Sequence, residues 1–74
     1  MKYLRDDIGI KKLGKKLKEK RIEKNFSQEK LAWEANVEPM QISRIERGVI
    51  NTSVSQIFNL ARALKINPKE LFDF

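Results

Sequence analysis

Between Pro39 and Gly48 the sequence PMQISRIERG sets two isoleucines among side chains that donate hydrogen bonds, carry charge or pack on a methyl group. At about 100° per residue, a helix here turns Ile42, Ile45 and Glu46 to one side. Met40, Ser43, Arg44 and Arg47 then face the other side, with Gln41 at the edge. The chemistry of that outer row is recognition. The Arg44 guanidinium can donate two parallel hydrogen bonds to paired acceptors such as O6 and N7 of guanine. Met40 offers apolar contact, as to a thymine methyl group. Gln41 and Ser43 could reach base edges or phosphates. Against these roles stands a plain solvated surface for Arg44 and Arg47, and a surface methionine with no reading role for Met40.

Two short helices and a tight turn must hold that row in place. Ser27 is a good N-cap for the first, in which Leu31, Ala32 and Ala35 recur at helical spacing. Asn36 suits a helix end that turns through positive φ. The second helix begins near Glu38, with Pro39 where no amide hydrogen is needed, and stops at Gly48. Such a pair is a helix-turn-helix, the arrangement that lays its second helix in the major groove of DNA.

The remaining elements supply the frame. A first helix is expected over Leu13 to Lys24, with Leu13 and Leu17 on one face and Arg21 near its edge. Ile22 points the opposite way, toward the C-terminal helix or the N-terminal segment, and Asn25 offers a left-handed stop. Ser53 caps a fourth helix running to about Lys65, with Val54, Ile57, Phe58, Leu60, Ala61 and Leu64 as its buried stripe. Asn67 and Pro68 open a last short helix carrying Leu71 and Phe72. With no strand signal and no repeat, the expected fold is all-α, a compact five-helix domain over residues 13–74. Residues 1–12 form an N-terminal extension in which Tyr3, Leu4, Ile8 and Ile10 fit neither period, and Asp6, Asp7 and Gly9 look like turn residues. A loose arm touching DNA through Lys2 and Arg5, an extra packed turn and a dimer contact all remain open for it.

Composition narrows the function. The chain has 74 residues, no cysteine and no histidine, which argues against a disulfide framework, a thiolate nucleophile, the usual general base and a zinc site. An enzyme, a metal, a cofactor and a small-molecule ligand are not expected. No apolar run approaches the ~20 residues of a membrane span, so the expected location is the cytoplasm. The net charge is +6 and the pI about 9.8, which favours polyanionic partners. Lys11 to Lys24 holds seven lysines and one arginine against two glutamates, the whole excess. A solvated lysine face is the bland reading of that run. At the start of a helix, however, those cations oppose the macrodipole, which makes attraction for phosphate the more plausible gain.

From Leu13 to Phe72 the chain resembles the phage repressor and Cro class of helix-turn-helix domains, the lambda-repressor-like or xenobiotic-response-element family. The resemblance rests on FSQEKLA, ISRIERG and NTSVSQIFNLARALKINPKELF, in that order and spacing. It implies that Met40, Gln41, Ser43 and Arg44 read bases and that Gln28 grips a phosphate at a helix start. It also implies that Arg21 pairs with Glu46 while facing the DNA backbone. Val49 and Ile50 stand where members often carry lysine or arginine, which leaves Arg47, Asn51 and Thr52 as the further phosphate contacts. The implied function is a sequence-specific regulator of transcription that binds double-stranded DNA as a homodimer on a palindromic operator, its recognition helices ~34 Å apart. Ile66, Leu71, Phe72 and Phe74 are the expected dimer interface, unless Leu71 and Phe72 simply close the monomer core. Members this short resemble phage Cro proteins, restriction-modification controllers and small element-borne repressors, and Asn51 and Ser53 before an apolar helix are similar to the controllers. The rival is a protein-interaction module, an antitoxin or adaptor on the same fold, favoured by Trp33, Val49 and Ile50. Trp33 itself would lie over lysine stems, on the N-terminal segment or in an interface.

Overall fold

The helix boundaries fall where side chains or special backbone conformations can satisfy the free groups at helix ends. The computed structural model describes residues 5–74. Helix α1 spans Asp7–Glu23, α2 Gln28–Ala35, α3 Pro39–Glu46 and α4 Val54–Leu64. A 3-10 helix over Pro68–Phe72 follows. Among the described residues there are therefore four α-helices and no strand. The fifth helix expected after Pro68 is this tighter, shorter turn, held by Asn67, whose amide donates to Glu70 Oε2 at 2.9 Å and whose Oδ1 accepts from the Lys69 amide at 3.0 Å.

Helix α1 starts earlier than the sequence suggested. Asp6 is its N-cap, with Oδ1 accepting from the Gly9 amide at 2.8 Å, so an apparent turn residue is the helix start signal. Residues 7–12 thus lie within the first helix. Lys2, Tyr3 and Leu4 lie outside the described residues. The other boundaries fall as read: Ser27 accepts from the Lys30 amide at 2.9 Å, and Ser53 from the Gln56 amide at 3.1 Å. Asn25, Asn36 and Gly48 take φ of 60°, 55° and 69°.

The core is made by Leu17, Leu31, Ile42, Ile45, Leu60, Leu64 and Leu71, all fully buried. Each such side chain contributes roughly 1.5–3 kcal/mol. Helix α3 packs against both α1 and α2, α4 packs against α2, and the 3-10 helix bridges α1 and α4. On α1 the buried face is Gly14, Leu17 and Arg21, one stripe at spacings of three and four. At Gly14 that helix crosses the last turn of α3 so closely that a Cβ would stand 2.8 Å from the Glu46 carbonyl oxygen and closer still to that of Ile45.

Four apolar residues lie elsewhere than expected. Val54 and Phe58 are exposed, because the core side of α4 centres on Ile57, Leu60, Ala61 and Leu64 and the other two stand at its flank. Ile22 is exposed. Leu71 is 0% exposed, so it closes the monomer core and is withdrawn from the dimer interface, whereas Phe72 beside it is exposed.

Candidate nucleic-acid interface

Helix α3 is seated by Ile42 and Ile45, both buried. Their burial fixes its rotation, leaving Met40, Arg44 and Arg47 exposed along the outer side, with Gln41 and Ser43 half-buried at its edges. The Arg44 guanidinium makes no ion pair among the described residues. Arg47 Nε donates to Ser43 Oγ at 3.3 Å, one turn back on the same helix, so these two residues share a hydrogen bond before any ligand arrives.

Behind this surface a polar cluster ties three helices together. Arg21 of α1 donates through Nε to Glu46 Oε2 at 2.6 Å and through Nη2 to Oε1 at 3.0 Å. Its Nη1 donates to the Phe26 carbonyl at 2.7 Å. The paired side chains are 10% and 3% exposed, and the fork-on-carboxylate geometry is the strong form of an ion pair. Gln28, the first residue of α2, donates from Nε2 to Glu46 Oε1 at 3.0 Å. Glu46 therefore holds α1 and α2 against the end of α3.

The expected pairing of Arg21 with Glu46 is present, and it engages three of the guanidinium's five N–H donors on a largely buried side chain. Gln28 keeps one amide hydrogen beside the free backbone amides at the start of α2. Asn51 and Thr52 lie between α3 and α4, the first exposed and the second half-buried. Of the residues that favoured a protein-interaction module, Ile50 packs partly against the core while Val49 is exposed. Trp33 is 84% exposed, which rules out packing over lysine stems. The cation–π contacts form instead between Lys30 and Phe26, at 5.0 Å, and between Lys12 and Phe74, at 6.0 Å.

Sequence reasoning missed two features of this region. The bond from Gln28 to Glu46 left no signal, since an exposed-looking glutamine near a helix start has many possible partners. The close crossing at Gly14 did leave one: a glycine inside a helical pattern costs about 1 kcal/mol and commonly marks close approach of another backbone.

A helix-turn-helix family model matches residues 17–71. Control protein C.BamHI of Bacillus amyloliquefaciens is 45% identical over 62 residues, covering 82% of this chain and 76% of that protein. The fold superposes on the restriction-modification controller protein C.AhdI from Aeromonas hydrophila with a TM-score of 0.83 at 41% identity, over 85% of this chain and 96% of that one. The clp gene regulator ClgR from C. glutamicum matches with a TM-score of 0.81 at 26% identity, over 84% and 80% of the two chains.

Proposed function

The chain belongs to the helix-turn-helix family of DNA-binding transcriptional regulators, and on that premise we propose that it acts as a homodimer reading a palindromic operator through α3. The observation that carries this reading is the open outer side of α3, where Met40, Arg44 and Arg47 face solvent on a helix locked by Ile42 and Ile45. Arg44 reads a guanine through its fork, Met40 packs on a thymine methyl, and Gln41 and Ser43 reach the flanking edges. Gln28, Arg47, Asn51 and Thr52 hold the phosphates that set the register. The likeness to control and controller proteins supports a role in regulating a restriction-modification system, and with it an intracellular setting.

Two copies meet, in this proposal, through apolar surface that the monomer leaves open. Phe72 and Phe74 line a groove with Ile10 and Leu13, and Ile66 lies half-buried before them.

Selection of sites from random duplex DNA should return a two-fold symmetric sequence. Arg44→Ala should lose preference at one base pair in each half-site, worth about 1–3 kcal/mol, while keeping the fold and most non-specific affinity. Equal binding of selected sites by the parent and by Arg44→Ala overturns the reader assignment. The exposure of Trp33 favours the second reading, a protein-interaction surface on the same fold. Under that reading alone, affinity for duplex DNA would not fall steeply as salt rises.

A further inference from the structure

The turn after α3 brings no charge of its own, since Gly48, Val49, Ile50, Asn51, Thr52 and Ser53 are all uncharged. Charge reaches it from the start of the chain. Arg5 Nη2 donates to the Val49 carbonyl at 3.1 Å, a contact spanning 44 positions of sequence. Arg5 Nε donates to Asp7 Oδ1 at 2.7 Å. On α1, Lys11 passes so near Gly48 that a Cβ there would stand 2.7 Å from the Lys11 Cγ. The same turn is tied to the recognition helix, because the Val49 amide donates to the Arg44 carbonyl at 3.1 Å.

We propose that Arg5, one residue before the N-cap of α1, is a further phosphate contact, with Lys11 of α1 at the same turn, supplying the cation that Val49 and Ile50 do not provide. The proposal rests on the DNA reading above. Of the five N–H donors of a guanidinium, two are engaged, and the Arg5 side chain remains 46% exposed. The Val49 carbonyl holds the group at the turn that follows α3. Asp7 opposes this role, since its carboxylate lies on the same guanidinium, and Asp6 caps the helix next to it. An exposed pair of this kind is weak, and a phosphate, presenting several acceptor oxygens, competes for it.

The test is binding of the full chain to a short random-sequence duplex across a salt series, with thermal melting of each sample by circular dichroism. Arg5→Gln should make the slope of log K on log salt shallower by about 0.9 per protomer, and weaken binding roughly fivefold to tenfold at ~0.1 M salt. Arg5→Lys should retain the slope. Asp7→Asn should tighten binding, and lose that gain when combined with Arg5→Gln. A parent slope carried unchanged into Arg5→Gln overturns the assignment and leaves the DNA reading intact, whereas a parent insensitive to salt overturns both. Should Arg5→Gln melt below the assay temperature, the Asp7→Asn arm decides, because it keeps Arg5 in place, and unchanged affinity there overturns the proposal.

Discussion

Glu46 shows how one carboxylate can hold three helices together. Its carboxylate accepts from Arg21 twice and from Gln28 once, so the orientation of the recognition helix is set by an ion pair as well as by two isoleucines. Removing one member of a buried pair leaves the other charged and without a partner, at a cost of about 3–5 kcal/mol. Total stability for a chain of this size is only about 4–11 kcal/mol. Glu46→Ala should therefore lower the urea midpoint sharply with little change in the m-value. A midpoint within experimental error of the parent would show the pair to be dispensable. Arg21→Lys should also destabilise, since an ammonium lacks the fork that reaches Glu46 and the Phe26 carbonyl together. The resemblance to a known family made the pair legible. The bond to Gln28 was not, because nothing in its own stretch of sequence points eighteen residues ahead.

Among the elements, α1 is the one whose sequence misleads. It has few apolar residues, and its buried stripe needs only Gly14, Leu17 and Arg21. Intrinsic propensity favours alanine over glycine inside a helix by about 1 kcal/mol, yet a Cβ at Gly14 would run into the Ile45 and Glu46 carbonyls, which belong to backbone and cannot step aside. Gly14→Ala should destabilise by roughly 1–3 kcal/mol, the usual cost of overpacking. Gly9→Ala, which meets only the exposed Asp6 side chain at 3.1 Å, should be neutral or mildly stabilising. Chemical denaturation of the two variants side by side checks both signs, and equal effects would refute the close-crossing argument. On the solvent side of α1, Lys16 bonds and attracts the Glu19 carboxylate at 3.0 Å and holds its pKa below the ordinary value, with Lys15 and Lys20 adding to the effect. A depressed carboxylate stabilises above its unfolded pKa and loses that contribution as pH falls through the folded one. Titration followed by NMR should find Glu19 below the usual glutamate range, and rising toward it in Lys16→Gln. An ordinary midpoint in the parent would contradict this. The other helices were legible because Ser27, Asn36, Pro39, Gly48 and Ser53 mark their ends by strong local preferences. Lys65, at φ 58°, and the flank positions Val54 and Phe58 were not, since a lysine has no left-handed preference and a wide apolar stripe does not reveal its centre.

For the whole molecule the deciding quantity is apolar surface left over after the monomer has folded. A domain of 74 residues buries only about 60% of its unfolded surface, and here Phe72 and Phe74 remain 53% and 57% exposed beside a groove they share with Ile10 and Leu13. On the proposed assembly, adjacent residues have separate roles. Leu71 is wholly enclosed, so Leu71→Ala should lower stability by about 2–5 kcal/mol whatever the oligomeric state. Phe72→Glu and Phe74→Glu change exposed positions, where effects on the monomer stay near ±0.5 kcal/mol, and should instead abolish association. Sedimentation of the parent at high micromolar concentration is expected to show a dimer, and the Phe72→Glu, Phe74→Glu double variant a folded monomer. On DNA that monomer should hold single half-sites weakly and lose the dependence on half-site spacing that a two-fold assembly imposes. A parent that sediments as a monomer, or a double variant that still sediments as a dimer, would remove this face from the assembly.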